Sequence, residues 1–435
     1  MVHKGQTFVR SAEWTNVTPS DGPFSPGRGR RNTRRRASSR QWTRVSEGTE
    51  HMGSDSQASS SDSNDDRRGG GGVPPARRTE EVQPQQLRVG VLGVGYWGSK
   101  QLRVMRQTPG VSRVVAIDAR LPLLSGMAHL LATGEGFTSL DAALPHIDAV
   151  VIATPPASHV PLGLAAIRAG KHVLIEKPLA TTAAGAQELI QAAKDAGVTL
   201  MVGHTFEYNG AVWMLRELVQ SRELGDLYYL DSARLNLGLY QSDVNVVFDL
   251  APHDISIANH VLGSVPTSVR AWGNRHVDPV FEDVAHLELG YDDIGVQAHI
   301  HVSWLDPRKV RLVTAVGSKK MAVYDDMNVE ERIRIHDKAV TRSPDKGMHY
   351  HHGAVTSPVV RFDEPLAVQA RHFVDCMTSG AVPRTDGANG LAVVQVIEAA
   401  QLSLAQERKV LLSEVSGLTE RTGLVPVPAR ATAAV

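Results

Sequence analysis

The first half of the chain alternates short apolar runs with amphipathic segments. Five runs are almost continuously apolar, as expected of strands covered on both faces. They are LRVGVLG from Leu87, SRVVAIDAR (112–120), IDAVVIATPP (147–156), KHVLIEKP (171–178) and VTLMVGHTF (198–206). The segments PLGLAAIRAG and TAAGAQELIQAAKDAG carry one apolar face each and close on Gly170 and Gly197, which predicts helices. This alternation of strands and helices predicts a parallel sheet with right-handed crossovers.

The pattern changes after about residue 206. One amphipathic segment, AVWMLRELVQSRELG, precedes runs in which apolar and polar residues alternate, such as DLYYLDSARLNLG and VAHLELGYDDIGVQAHIHVSWL. The turns YDDIG and GSKK separate such runs and predict hairpins. Two apolar-faced segments, EPLAVQARHFVDCMTSG and GANGLAVVQVIEAAQLSLAQ, predict closing helices. We therefore predict an α/β protein: an N-terminal Rossmann dinucleotide-binding domain and a C-terminal α/β domain with an open, largely antiparallel sheet.

Residues 1–86 lack this periodicity. They are rich in Arg, Ser, Gly and Pro, and their apolar residues are too sparse to offset the entropy of ordering. The run RRNTRRR is compatible with a nucleic-acid or targeting patch, but without a groove-reading element we favour a disordered leader, or a start codon placed too early, with Met52 as an alternative start. The predicted organisation is this leader, a Rossmann domain over 87–206, a substrate and oligomerisation domain over 207–415, and a flexible tail over 416–435.

The length, charge balance and cysteine content of the chain favour a two-domain protein and give no support to a nucleic-acid-binding or membrane protein. The 435 residues suffice for two domains plus extra segments. Basic and acidic residues are equal in number at 46 each, so no global field favours nucleic acid or a membrane surface. No apolar run is long enough to span a bilayer or to form a signal-peptide core. The single cysteine, Cys376, lies beside Phe373 and Met377 on an apolar helix face, which favours a core residue and a reducing cytoplasm.

The stretch GVLGVGYWG contains G-x-G-x-x-G between a predicted strand and a predicted helix, the context that gives this motif meaning. Gly93 permits the tight turn, Gly95 lets the backbone approach a pyrophosphate, and Gly98 lets helix and strand pack closely. The free N–H groups of the helix then face the phosphates. Tyr96 and Trp97 lie inside the motif and are further candidates for cofactor contact.

Four more residues belong to the predicted cofactor site. Asp118 ends the second strand, where a carboxylate binds the ribose hydroxyls and repels a 2′-phosphate. It therefore favours NAD over NADP, although Arg120 keeps the choice open. In ATPPASH, Thr154, Pro155 and His159 lie at the carboxyl edge of the sheet, where ligands of open α/β folds bind. For His159, a local hydrogen bond at the start of a helix is an equally good explanation. For the whole domain, the alternative is a Rossmann fold that has lost its cofactor.

The glycine motif and ATPPASH, together with EKPLA and DLAPHD, resemble the glucose–fructose oxidoreductase and inositol dehydrogenase (Gfo/Idh/MocA) family, from Leu87 to about Val410. The resemblance implies an open sheet that builds homodimers or homotetramers. It also implies an NAD-dependent oxidoreductase acting on a ring hydroxyl of a sugar, cyclitol or nucleotide-linked sugar. The stretch GHTFEYN…LNLGLYQSDVNVVFDLAPHDISI is similar to the branch that acts on nucleotide sugars, often at C3.

The EKP motif contains the first catalytic candidate. The resemblance implies that Lys177 projects to the nicotinamide and the substrate and that the Lys177–Pro178 bond is cis. A side chain at the carboxyl end of a parallel strand points into the cofactor crevice. There an ammonium can polarise a developing carbonyl oxygen and pass a proton to His253. Glu176 is expected to position backbone or ribose. An ion pair with Lys177 is not expected, because neighbours along a strand face opposite sides.

The second candidate pair is Asp249 and His253. If 249–263 is a helix, both side chains lie on one face at its start, where the carboxylate can orient the imidazole. An imidazole is a suitable base for the hydroxyl proton, and Pro252 is tolerated in a first turn. The alternative is an N-cap Asp249 followed by a first-turn histidine. Asn245 and His253 are the candidates for substrate contact.

The stretch MHYHHG, with His349, His351 and His352, is predicted to be a loop. It lacks a nearby cysteine and separated ligands, so we predict no metal site. The surrounding residues 344–355 match no pattern of the family, so the resemblance implies no substrate contact for them.

Three other functions stay open at this point. One is a non-catalytic, dinucleotide-binding regulatory protein, which need not keep Lys177, Asp249 and His253 together. The second is a cyclitol dehydrogenase of the inositol type. The third is NAD-assisted glycoside cleavage, which begins with the same oxidation.

Overall fold

The computed structural model describes residues 86–127, 136–241, 243–361 and 363–416. The predicted leader and tail lie outside these ranges, apart from one boundary residue each. Within these ranges the first sheet has six parallel strands in the order β3-β2-β1-β4-β5-β6. They are β1 Leu87–Leu92, β2 Val111–Ile117, β3 Gly136–Phe137, β4 Ala149–Ile152, β5 His172–Glu176 and β6 Leu200–Gly203. The order reverses between β1 and β4, which opens a crevice at the carboxyl ends of the strands.

Helices connect these strands. They are α1 Tyr96–Gln107, α2 Leu121–Gly126, α3 Leu140–Ala143, α4 His159–Arg168 and α5 Ala183–Ala196, with 3₁₀ turns at Leu144–His146 and Pro156–Ser158. Helix α5 begins where the Thr182 hydroxyl accepts a hydrogen bond from the N–H of Gly185 at 3.1 Å. It ends at Gly197, which has a positive φ of 64°, a backbone conformation that glycine adopts without strain. The sequence predicts both ends of this helix correctly.

The second sheet has nine strands in the order β14-β13-β12-β11-β7-β10-β9-β8-β15, and β10 with β7 is its one parallel pair in the described residues. The strands are β7 Leu227–Leu237, β8 Ser268–Asn274, β9 Val284–Tyr291, β10 Val296–Ser303, β11 Leu305–Gly317, β12 Met321–Asp325, β13 Ile333–Ser343, β14 Gly347–Thr356 and β15 Val410–Leu411. The predicted fold class, a parallel Rossmann sheet followed by a largely antiparallel one, is confirmed.

One face of this sheet is covered by helices. They are α6 Gly210–Gln220, α7 Val246–Leu262, α9 Gly387–Gln406 and α10 Leu412–Ser416, preceded by a 3₁₀ turn at Thr205–Tyr208. Helix α8, Pro365–Ser379, instead packs on α1 and the Rossmann sheet, where Phe373 is buried. Within the described ranges, α9 alone has the length and apolar composition to cross a membrane. It packs against α5, α7 and β8, and Val393 and Val396 are buried there. In this fold α9 is therefore a core helix.

The prediction of a loop for MHYHHG is wrong. The stretch lies in β14, which pairs antiparallel with β13 and places His351 opposite Ala339. All ten residues of β14 are exposed, so neither face carries the apolar periodicity by which a strand is recognised in a sequence. The Nε2 atom of His351 lies 3.0 Å from Oδ1 of Asp337.

A buried ion pair joins α7 to the sheet. The Nε atom of Arg234 on β7 donates to Oδ2 of Asp254 on α7 at 2.5 Å, and both side chains are almost inaccessible to solvent. The hydroxyl of Ser232 donates to the other carboxylate oxygen at 2.7 Å. Because removing one partner of such a pair leaves an uncompensated buried charge, this contact is expected to govern the stability of the second domain.

We predict that Asp254→Ala lowers the free energy of unfolding by about 3–5 kcal/mol, since Arg234 stays buried without its partner. The matched control is Asp226→Ala, which removes the same side chain from an exposed pair with Arg222 and costs less than about 1 kcal/mol. Urea denaturation measures both changes. Equal losses in the two variants would contradict the assignment.

Candidate active site

The glycine turn after β1 has the shape that a dinucleotide requires. Gly93 has a positive φ of 85°, and a Cβ there would lie 2.8 Å from the carbonyl oxygen of Ala153. A Cβ on Gly98 would overlap the carbonyl oxygen of Gly93, whereas a Cβ on Gly95 would meet nothing within 4 Å. The turn therefore packs tightly at Gly93 and Gly98 and leaves room beside Gly95, next to the free N–H groups at the start of α1.

Asp118 directly follows β2, at the predicted position. Its Oδ2 accepts a hydrogen bond from the N–H of Val94 at 3.0 Å, and its Oδ1 accepts one from Nε of Arg120 at 3.0 Å. Burial alone raises the pKa of Asp118, but these hydrogen bonds outweigh it and hold the pKa below its usual value. An ionised carboxylate thus stands at the edge of the crevice.

The buried side chain of His159 holds the loop after β4 in place. His159 is completely buried, with Nδ1 at 2.8 Å from the carbonyl oxygen of Pro178 and Nε2 at 2.9 Å from that of Thr154. Both ring nitrogens therefore face backbone oxygens, which favours the alternative of a local structural bond over cofactor contact. The residue instead joins the turn after β4, which includes Pro155, to the turn after β5.

Two aromatic side chains project from the start of α1. Tyr96 and Trp97 are 73% and 48% exposed, and their rings pack edge to face at 5.6 Å. The Nζ atom of Lys100 lies 3.8 Å from the centre of the first ring and 4.5 Å from the second. This exposed cluster is free to contact a ligand, and cofactor contact stays a prediction.

Lys177 lies at the carboxyl end of β5, on the side of the crevice that faces the second domain. The bond to Pro178 is cis, as the resemblance implied. The Nζ atom donates to the backbone oxygen of Asp249 at 2.8 Å and lies 3.6 Å from Oδ1 of the same residue. The structure therefore brings Lys177 and Asp249, two of the catalytic candidates, into contact, although they are 72 residues apart.

Helix α7 begins earlier than predicted. Its N-cap is Asn245, whose Oδ1 accepts from the N–H of Phe248 at 3.1 Å. Asp249 is therefore not an N-cap, and Pro252 lies in the helix interior. The extra turn before Asp249 is the part that the sequence pattern did not reveal.

The side-chain amide of Asn245 makes its hydrogen bonds within the protein. Its Nδ2 donates to Glu282 and to Gln401, both at 2.9 Å, and its Oδ1 also accepts from Gln401 at 3.0 Å. The prediction that Asn245 contacts the substrate is therefore wrong, because its amide hydrogen bonds are made within the core.

Asp249 does not orient the imidazole of His253 as predicted. Its Oδ2 accepts from Nε1 of Trp304 at 3.1 Å, while Oδ1 faces Lys177. The Nδ1 atom of His253 is buried and has no hydrogen-bond partner among the described residues. The backbone oxygen and the carboxylate of Asp249 together anchor Lys177, and Trp304, which the sequence reasoning missed, fixes that carboxylate.

The surroundings of His253 favour its neutral imidazole. Burial is the main reason that its pKa lies well below the usual value, and the positive charges of Lys177 and Arg234 lower it further. Its ring packs edge to face on Phe206 at 5.2 Å. A neutral imidazole beside an ammonium can accept a proton from a substrate hydroxyl.

Glu176 faces the first domain. Its Oε1 accepts from Nε2 of the buried Gln101 on α1 at 2.7 Å, and a Cβ on Gly203 would lie 2.8 Å from Oε2. Burial raises the pKa of Glu176, with this hydrogen bond acting in the opposite direction. The side chain thus ties β5 to α1 below the glycine turn.

His204 is a site residue that the sequence reasoning missed. It directly follows β6, and neither ring nitrogen has a partner in the part of the chain that the structure describes. Burial, with Lys177 adding to it and Glu207 opposing it, lowers the pKa of His204 to about 4. Its position after the strand adjacent to that of Lys177 is the signal that could have identified it.

Comparison with known proteins agrees with this geometry. Residues 87–204 match the oxidoreductase family with an NAD-binding Rossmann fold, and residues 212–323 match the Gfo/Idh/MocA C-terminal domain. Together these matches define an oxidoreductase with an NAD-binding domain. The chain belongs to the Gfo/Idh/MocA family.

Relatives within the family differ in what they act on. The chain is 32% identical over 191 residues to a UDP-N-acetylglucosamine 3-dehydrogenase of Acidithiobacillus ferrooxidans, an alignment that spans 43% of this chain and 58% of that relative. It is 24% identical to the myo-inositol 2-dehydrogenase of Thermotoga maritima over 76% of this chain and all of that one. GenD2 from gentamicin A biosynthesis, solved in complex with NAD, superposes with a TM-score of 0.63 at 25% identity, covering 75% of this chain and 96% of that one.

We predict that Gly95→Ala leaves the fold intact but weakens NAD⁺ binding at least about tenfold, because a methyl group there meets only the approaching pyrophosphate. Gly98→Ala serves as the comparison, since its methyl group collides with the turn itself and lowers stability as well. Thermal unfolding and fluorescence titration separate the two effects. Unchanged NAD⁺ affinity in Gly95→Ala would contradict this placement of the pyrophosphate.

Proposed function

We propose that the protein is an NAD⁺-dependent dehydrogenase that oxidises a ring hydroxyl of a nucleotide-linked sugar, at C3. The observation that carries the proposal is the convergence of the Lys177 ammonium, the Asp249 carboxylate and the neutral imidazole of His253 at the carboxyl edge of the Rossmann sheet. The similarity to a UDP-N-acetylglucosamine 3-dehydrogenase supports the substrate class and the ring position.

Each residue has a distinct part in this chemistry. Bound NAD⁺ supplies the acceptor for the hydride of the carbinol carbon. His253 takes the hydroxyl proton, since its low pKa keeps it unprotonated at neutral pH. Lys177 stabilises the negative charge that develops on the oxygen. Asp249 holds that ammonium in place, and Trp304 holds Asp249.

We further propose NAD rather than NADP as the cofactor. The carboxylate of Asp118 stays ionised at the end of β2 and repels a 2′-phosphate. Arg120, the residue that could accommodate such a phosphate, is engaged by that same carboxylate through Nε at 3.0 Å. Both contacts favour a free ribose 2′-hydroxyl.

A cyclitol dehydrogenase is the second candidate, because the similarity to a myo-inositol 2-dehydrogenase extends over 76% of this chain. The two candidates share Lys177, Asp249 and His253 and differ in the group attached to the oxidised ring. A regulatory role without catalysis is less favoured, since cofactor binding alone does not require an ammonium, a carboxylate and a neutral imidazole in one place.

We predict that Lys177→Ala and His253→Ala each lower kcat at least about 100-fold with a nucleotide-linked sugar, because a positioned acid or base contributes this much to proton transfer. Lys194→Ala, an exposed lysine of α5, is the matched control and keeps full activity. Formation of NADH over a panel of UDP- and dTDP-hexoses, with myo-inositol as the cyclitol arm, measures the rates. Full turnover by both site variants would contradict the proposed roles.

We also propose that a second copy of this chain covers the open face of the nine-stranded sheet. Trp272 on β8 is 50% exposed and stacks on His286, which in turn stacks on His301 at 4.0 Å. Tyr229 on β7 is exposed on the same face. Aromatic side chains in such a row are typical of a surface that pairs with its own copy about a two-fold axis.

We predict that Trp272→Glu shifts the protein to a smaller species, because a carboxylate in the centre of a self-paired face must lose its water. Val359→Glu, which adds the same charge at a fully exposed apolar position in a loop, leaves the assembly unchanged. Light scattering during size-exclusion chromatography gives the masses. A wild-type monomer would refute the proposal.

A further inference from the structure

Three buried titratable side chains near the active site have no part in the chemistry proposed so far. They are His204, Glu207 and His260. Neither ring nitrogen of His204 has a hydrogen-bond partner among the described residues, and the same holds for Nε2 of His260. Because a buried polar group without a partner is costly and uncommon, two such histidines in one region indicate more than packing.

The 3₁₀ turn after β6 places these side chains against α7. The ring of Phe206 in this turn lies 5.2 Å from the ring of His253. In the same turn, Oε1 of Glu207 accepts the hydroxyl of Ser256 at 2.7 Å. His204 stands at the head of the turn, where its carbonyl oxygen accepts the N–H of Glu207 at 3.0 Å. Side chains three residues apart in such a turn are neighbours.

Glu207 is the charged centre of this group. Its Oε1 also accepts Nδ2 of Asn389 on α9 at 3.0 Å, and its Oε2 lies 3.5 Å from Nδ1 of His260. Burial alone raises the pKa of Glu207, but the contacts with its histidine and serine neighbours outweigh it and hold that pKa below its usual value. An ionised carboxylate thus lies beside both imidazoles.

Helix α7 connects this group to the catalytic base. His253, Ser256 and His260 follow one another at spacings of three and four residues, and residues at these spacings are neighbours on one face of a helix. Nδ1 of His253 is buried and has no partner within the described ranges, although the residue as a whole is only partly buried. This nitrogen therefore faces the interior, on the side of α7 that carries Glu207.

The other end of the row lies close to the surface. The ring of His260 packs edge to face on Trp213 at 5.2 Å, and Trp213 is partly exposed. Trp213 lines a cavity of about 250 Å³ together with Tyr208, Arg361 and Arg384. An indole ring therefore separates the last imidazole of the row from a cavity near the surface.

We propose that His204, Glu207 and His260 form a relay that carries the proton of the substrate hydroxyl from the catalytic imidazole to the surface. The inference deepens the proposed function, on which it rests for the oxidation that releases the proton. A sugar bound in the crevice covers the side of His253 that takes this proton and excludes water there. An exit through the interior lets the proton leave before the product does.

The transfer conserves protons and charge. The hydride of the carbinol carbon leaves with NAD⁺, while His253 accepts the hydroxyl proton on one ring nitrogen and gives up the proton on Nδ1. His204 accepts a proton on one nitrogen and releases one from the other. Glu207 passes a proton to Nδ1 of His260, and Nε2 of His260 releases one towards the cavity. A bridging water completes any step that is too long for a direct hydrogen bond.

The first test measures the connection between the relay residues without turnover. In protein labelled with ¹⁵N-histidine, the ring signals of His204 are those that disappear in His204→Asn. We expect them to shift in Glu207→Gln and in His253→Ala, because each change alters a group beside the ring. The matched control is His172→Asn at the amino end of β5, where Nδ1 accepts the N–H of Thr199 at 3.0 Å. It leaves the His204 signals unchanged.

The second test separates proton release from hydride transfer. A pH indicator and the absorbance of NADH are followed together in a single turnover with a sugar that the wild type oxidises. Proton and NADH appear together in the wild type and in His172→Asn. In His204→Asn and Glu207→Gln we expect the proton to appear at least about tenfold more slowly than NADH, because a step of proton transfer is lost. The rate of NADH formation stays close to that of the wild type.

Glu207→Gln keeps this comparison free of folding effects. The glutamine retains an oxygen that accepts from Ser256 and Asn389 and lacks only the site that carries the proton. A purely structural role of Glu207 would slow hydride transfer and proton release equally.

Three results would overturn the proposal. They are His204 signals that stay unchanged in both Glu207→Gln and His253→Ala, proton release that keeps pace with NADH in both relay variants, and equal slowing of the two events. If the signals shift as expected but the wild type oxidises no sugar, the row is connected and the proposed function is refuted, so the two failures are distinguishable.

Discussion

The contact between Lys177 and Asp249 is the interaction on which the rest of the site depends. It joins the end of the fifth strand of the Rossmann sheet to the first turns of α7 in the second domain. Neither domain contains the site alone. The ammonium of Lys177 belongs to the Rossmann domain, whereas the carboxylate of Asp249 and the imidazole of His253 belong to α7 of the second domain. The proposed catalytic roles therefore require the two domains to keep this contact.

Burial sets the charge states around this contact. His204 and His253 lie close to the ammonium, and burial lowers the pKa of each, with the charge of Lys177 acting in the same direction. The low pKa values favour neutral imidazoles, and the carboxylate of Asp249 is the charge that faces the ammonium at 3.6 Å. Glu176, next along the chain, turns away and bonds Gln101. The neutral imidazole of His253 thus lies near the positive charge of Lys177, an arrangement suited to removing a proton from a hydroxyl.

The parts of the fold that follow local rules were predictable from the sequence. The glycine turn, Asp118 and Lys177 each lie at the end of a buried parallel strand, and strand ends of this kind meet at one edge of a sheet. The beginning of α7 was not predictable, because Asn245 precedes the apolar pattern and looks like a loop residue. The role of His159 depends on the carbonyl oxygen of Pro178, 19 residues away, and such a long-range partner leaves no periodic signal.

The central claim is that Asp249 acts by holding Lys177 in its catalytic position. The most direct measurement is the rate of NADH formation in a single turnover by Asp249→Asn, with saturating NAD⁺ and a sugar that the wild type oxidises. The amide keeps the shape and the bond to Trp304 but lacks the charge that faces the ammonium. We expect the chemical step to slow by about tenfold or more while NAD⁺ affinity is retained. An unchanged single-turnover rate would contradict the account.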